Sequence, residues 1–98
     1  MKRADALRII AANRERFSEF HVKSLWLFGS VARDEASETS DVDVLVEFEE
    51  DWPVGLFLLI RLKHCLEDIL GCGVDLGTPD SLREQIRDQV LKEAIHAA

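Results

Sequence analysis

The sequence predicts an α/β fold, one small β-sheet flanked by helices in the order α-β-α-β-α-β-α. Three observations carry this. Apolar residues recur at helical spacing in three segments. Short apolar or alternating runs lie between them, at residues 23–28, 41–48 and 74–76. Gly29, Gly71 and Pro79 fall where one kind of element should give way to the next. No linker, repeat or low-complexity tract interrupts the 98 residues, so the expectation is a single domain spanning residues 1–98.

Each element has a local reason. Ala4, Leu7, Ile10, Ala11 and Phe17 form an apolar stripe with charges between, which predicts one helix over residues 4–17. Leu25-Trp26-Leu27-Phe28 reads as a strand buried on both faces, stopped by Gly29-Ser30. Residues 30–35 allow a short helix, and Glu35 to Ser40 read as a polar loop. From Asp41 to Phe48 the chain alternates, with Val42, Val44, Val46 and Phe48 on one side and Asp41, Asp43, Leu45 and Glu47 on the other. The acidic run Glu49–Asp51 reads as a solvated loop. Pro53 suits a first helical turn, continued by Leu58 or Leu59, Leu62, Leu66 and Leu70 and ended by Gly71. Val74-Asp75-Leu76 predicts the third strand of a three-stranded sheet. Ser81 and Glu84 stand at capping-box spacing before a last helix with the stripe Leu82, Ile86, Val90 and Ala94.

Composition excludes several classes. Hydrophobic residues make up 47% and charged residues 32%, which fits a folded chain. No run approaches the ~18 apolar residues of a membrane span, and no apolar core follows the charged N-terminus as in a signal peptide. The expected location is therefore the cytoplasm, with no membrane partner. Cys65 and Cys72 lack metal-site spacing and read as reduced thiols near a core. The net charge of −7 argues against a phosphate-backbone footprint and hence against a nucleic-acid template. If such a chain handles a nucleotide, a metal cation must supply much of the positive charge.

The informative residues are Asp41 and Asp43, two carboxylates inside an apolar strand. At i and i+2 they share a face, with Cβ atoms roughly 6–7 Å apart. Bare, they repel; a hard divalent cation resolves the conflict by taking their oxygens as ligands. Two ions about 3.5–4 Å apart are a recurrent device for in-line displacement at phosphorus. Asp75, between Val74 and Leu76, brings a third carboxylate if its strand lies beside the second. Gly29-Ser30 ends a strand and opens a helix, so a phosphate can approach backbone N–H groups, with the Ser30 hydroxyl as a further donor. Each feature also has an ordinary reading: a turn at Gly29-Ser30, a solvated edge at the aspartates, a surface ion pair for Arg33. His21, His64 and His96 are scattered and suggest no histidine mechanism. The combination, in order and on the expected elements, favours the functional reading.

Gly29-Ser30, ten residues, then Asp41-Val42-Asp43 resembles the GSx10DxD signature of the nucleotidyltransferases of the DNA polymerase β superfamily. The fuller pattern "FGSVAR…SDVDVLV…VDLGTPDSL" is similar to the minimal nucleotidyltransferases, prokaryotic proteins often encoded beside a HEPN-domain toxin that they neutralise. The resemblance implies a polymerase β-like core with a mixed sheet. It implies that Asp41 and Asp43 hold two Mg²⁺ ions, which Mn²⁺ can replace, and that Asp75 completes the metal site and aids deprotonation of the acceptor. It assigns Gly29 and Ser30 to the β- and γ-phosphates, and matches Arg33 to a recurrent arginine of the nucleotide site. The implied reaction moves AMP from ATP to a hydroxyl, a tyrosine of the neighbouring gene's HEPN RNase toxin. The alternatives are an antitoxin that acts by binding alone, and a transferase of a small acceptor such as an aminoglycoside. The chain departs from the family pattern at Asp34, where many members carry glycine, and at Gly77, where an apolar residue is common and the third strand is expected to shorten.

Overall fold

The computed structural model describes residues 1–35, 41–49, 55–79 and 84–98. Helix α1 (Arg3–Ala12) is followed by a single turn, α2 (Arg14–Phe17), and a 3₁₀ turn at Ser18–Phe20. Strand β1 (Val22–Phe28), short helix α3 (Gly29–Ala32) and strand β2 (Val42–Phe48) come next. Helix α4 (Leu56–Leu70), strand β3 (Val74–Gly77), helix α5 (Glu84–Glu93) and strand β4 (Ile95–His96) complete the order.

The sheet has four strands in the order β3-β2-β1-β4, one more than the hydrophobic pattern predicts. The extra strand is only two residues long, too short to leave a periodic signal. It pairs antiparallel with β1 through Trp26–His96 and Leu27–Ile95. Bonds from Ala97 N–H to Leu25 O and from Leu25 N–H to Ala98 O, both 2.8 Å, extend the junction. Ala94 therefore lies beyond the last helix rather than on its stripe. The sheet is mixed: β1 and β2 run antiparallel, whereas β2 and β3 are parallel and joined through α4.

Register explains which face is core. Leu25 pairs with Val46, Leu27 with Val44, and Val42 with Val74. All six are buried in one cluster with Ala6 and Ile10 of α1 and Leu62, Leu66 and Leu70 of α4. Apolar surface removed from water stabilises at about 25 cal/mol per Å², and the largest continuous set of buried apolar residues lies on this face. The opposite face carries Trp26, Leu45 and Gly77 in one row and Phe28, Asp43 and Asp75 in the next. Trp26 and Phe28 are only half-buried, so β1 is dry on one face rather than two. Leu45 is fully buried on this second side, outside the main cluster.

Three other expectations are corrected. The helix over residues 4–17 breaks at Asn13, whose amide donates to Ile9 O at 2.8 Å and competes with the helical ladder. Its buried positions are Ala6 and Ile10, while Ala4 and Ala11 face solvent. Gly77 does not shorten β3; it is the strand's last residue, opposite Leu45. The leucine stripe of α4 holds at Leu62, Leu66 and Leu70, and Gly71 ends it at φ +71° with its N–H on Glu67 O at 2.8 Å. Most of the loop before Asp41, the acidic run beyond Glu49, Pro53, the Ser81 cap with its Glu84 side chain, and the side chains of Leu82 and Ile86 lie outside the described residues. No helix among the described residues is long and apolar enough to cross a membrane.

Candidate active site

The site lies on the second face of the sheet, where β1 gives way to α3. Phe28 is extended, and Gly29 then takes φ +68°, a left-handed conformation that costs a residue with a Cβ about 1–2 kcal/mol. That turn swings the chain into α3 directly beside Asp43. A Cβ on Gly29 would overlap an Asp43 carboxylate oxygen and stand 3.0 Å from its Cγ. Glycine is thus needed here for the backbone and for the space.

Asp43 is the hub. Antiparallel pairing sets it opposite Phe28, and parallel pairing sets it opposite Asp75. Neighbouring strands lie ~5 Å apart, so the ladder brings two carboxylates from different strands together. Asp41 precedes β2 and is anchored by the next residue, since Val42 N–H donates to Gly73 O at 2.9 Å. Burial pushes the Asp43 carboxyl above the ordinary aspartate range, and the charges of Asp75 and then Asp41 push it further. Arg33 acts in the opposite direction. Asp41 and Asp75 are exposed, whereas Asp43 is half-buried.

Three carboxylates on one patch, with Asp43's proton affinity raised by burial and by its two neighbours, are the donor chemistry of a hard divalent cation, and Asp41, Asp43 and Asp75 fit such an ion. Among the described residues, however, no three His, Cys, Asp or Glu side chains are already gathered closely enough to hold one. The carboxylates share a patch and must close further to act as one ligand set.

Ser30 follows Gly29 in the first turn of α3 and is half-buried. Arg33 follows α3 and is exposed. Its guanidinium donates to Glu35 at 3.1 Å and to Glu93 of α5 at 3.3 Å. The glutamates raise its pKa, the Glu35 hydrogen bond foremost. The surface-ion-pair reading thus describes its contacts, while its charge still reaches Asp43. Asp34 adopts φ +59°, the left-handed conformation that glycine favours and aspartate tolerates. The departure at this position therefore keeps the turn. Asp34 also accepts the Arg3 N–H at 3.0 Å, and the Arg3 guanidinium donates to Ala32 O at 3.2 Å, tying the turn to α1. Glu47 shares the site face but pairs with Lys23 at 3.5 Å.

Sequence reasoning overlooks Gly73. A Cβ there would overlap an Asp41 carboxylate oxygen. Nothing in "GCGVDL" signals this, because the contact joins residues 41 and 73 across two strands.

Comparison with known proteins places the chain in a family. A family model described as a nucleotidyltransferase domain matches residues 8–96. The protein adenylyltransferase MntA of Thermococcus cleftensis is 42% identical over 89 residues, 90% of this chain and 88% of that protein. A solved structure provisionally described as a minimal nucleotidyltransferase superposes with a TM-score of 0.81 at 39% identity, over 97% of this chain and 95% of that one. A structure described as a tri-AMPylated Shewanella oneidensis HEPN toxin in complex with MNT antitoxin shares the fold, with a TM-score of 0.58 at 18% identity over 90% of this chain and 71% of that one. On the family match and these relatives, the chain belongs to the nucleotidyltransferase domain family and is a minimal nucleotidyltransferase of the DNA polymerase β superfamily.

Proposed function

We propose that the chain transfers AMP from ATP to a hydroxyl, a tyrosine, on a HEPN-type RNase toxin encoded by a neighbouring gene, and thereby neutralises it. The observation that carries this reading is the ladder Phe28–Asp43–Asp75, which puts Asp43 against the Gly29 turn on one side and Asp75 on the other. A triphosphate seated on that turn lies next to the carboxylates. Asp41 and Asp43 hold the divalent ions, Mg²⁺ or Mn²⁺, with Asp75 as a further ligand. When bound, the ions supply positive charge to the phosphate oxygens at a site lined by three carboxylates.

The chain's residues then divide the work. Gly29 lets the β- and γ-phosphates approach the backbone, and the Ser30 hydroxyl donates to them. Asp75, exposed on an edge strand, accepts the acceptor's proton as its oxygen bonds to the α-phosphorus. The bond from that phosphorus to the β-phosphate bridge breaks, and pyrophosphate leaves. Arg33 reaches phosphate only by leaving Glu35 or Glu93, and its present influence is on Asp43's charge. A protein acceptor suits the open edge at Asp75, because its bulk can hold one hydroxyl in line. The relative from Thermococcus cleftensis, a protein adenylyltransferase by name, supports this acceptor class. Two free cysteines suit a reducing cytoplasm.

The test mixes the purified protein, Mg²⁺, ATP and the neighbouring gene's product, and weighs the intact partner. Added mass in whole AMP units, lost with Asp41→Asn, is expected. A partner that is neutralised at unchanged mass would replace transfer with binding alone.

A further inference from the structure

Each motif aspartate lies against a glycine. The Asp43 carboxylate sits over Gly29 and the Asp41 carboxylate over Gly73, so that a Cβ at either glycine would meet a carboxylate oxygen. At Gly73 the added carbon would also stand 3.1 Å from Asp41 Cγ. The two glycines differ in their backbones. Gly29 needs its positive φ, whereas Gly73 is not among the positive-φ residues, so alanine fits its backbone. The Gly73 carbonyl is held by Val42 N–H at 2.9 Å, which fixes the glycine beside the root of the Asp41 side chain.

This arrangement has an electrostatic reason. Without a cation, three carboxylates on one patch repel, and an exposed one with room beside it is free to turn aside. Asp41 is exposed, and Gly73 offers its carboxylate a seat that any side chain would fill. The three acids are correspondingly not gathered into a ligand set.

We propose that Gly73 is a rotamer seat for Asp41: the missing Cβ lets the carboxylate rest over the start of β3, and capture of the divalent ion requires it to swing back toward Asp43 and Asp75. Gly73 is thus a positioning residue, and the inference rests on the assignment of divalent ion and ATP to this site. A ligand that binds one of two rotamers loses apparent affinity by the fraction of protein in that rotamer. If the liganding rotamer holds ~10–30% of the population, filling the seat tightens binding by about three- to tenfold.

The experiment titrates Mg²⁺ with a non-hydrolysable ATP analogue into the full chain by calorimetry, for the wild type, Gly73→Ala, Asp41→Ala and the double variant. Gly73→Ala is expected to bind several-fold tighter, and the gain should vanish in the Asp41→Ala background. Equal or weaker binding by Gly73→Ala overturns the seat. A second measurement needs no variant: carbon–carbon couplings across χ1 of Asp41 in the wild type should change on adding the same probe. An unchanged χ1 in a protein that binds the probe also overturns it. A wild type that binds no probe would remove the nucleotide assignment together with the seat, whereas binding without the Gly73→Ala gain removes the seat alone.

Discussion

Gly29→Ala tests the construction of the site more sharply than removing a carboxylate does. The substitution has two separable costs. Alanine at φ +68° carries a left-handed penalty of about 1–2 kcal/mol. Its methyl group also occupies the place of the Asp43 carboxylate, and turning that side chain off its rotamer costs about 1 kcal/mol more. Gly71→Ala is the control, because Gly71 has nearly the same φ, +71°, and nothing within 4 Å of an added Cβ. Gly71→Ala should therefore lose about 1–2 kcal/mol and Gly29→Ala about 2–3 kcal/mol. In a domain of this size the second figure lowers Tm by roughly 10–20 °C. A double-mutant cycle isolates the contact: in an Asp43→Ala background Gly29→Ala should fall to the cost of Gly71→Ala, a coupling of about 1 kcal/mol. The assay is urea denaturation in EDTA at neutral pH, with slopes compared to confirm that midpoint shifts report stability. An equal cost for Gly29→Ala in both backgrounds would mean that Asp43 is not against this turn, and the proposed phosphate seat would lose its basis.

The raised Asp43 pKa gives a pH dependence with a definite sign. Above that pKa the folded state holds a charged, half-buried carboxylate beside two others and is destabilised; as pH falls through it, the folded state takes up a proton more readily than the unfolded state and stability recovers. Metal-free wild type should therefore gain stability relative to Asp43→Asn as pH drops through the carboxylate range, and parallel curves in urea titrations at several pH values would contradict the shift. Mg²⁺ with ATP should raise Tm by mass action, by about 2.7 kcal/mol of stability at a hundredfold excess over Kd. Asp43→Asn should abolish most of that rise, and Ser30→Ala should weaken it while leaving the ligand-free Tm unchanged. A full shift in both variants would put the nucleotide elsewhere.

The succession of the main helices with β1, β2 and β3, and the alternation of β2, were legible in the sequence, because strand period and helix period are local properties of neighbouring residues. The leucine stripe of α4 and its stop at Gly71 were legible for the same reason. The break at Asn13 was not, since a side-chain bond to Ile9 O overrode a good helical pattern. Nor was β4, where two residues gain their strand character only from β1. At the site, spacing alone places Asp41 and Asp43 on one face, but only the parallel register of β2 and β3 sets Asp75 beside Asp43. Packing likewise sets Arg33 against Glu93, sixty residues away, and gives Asp41 room at Gly73. Both are contacts between distant chain segments, and their geometry depends on how strands and helices pack rather than on any local preference of the residues.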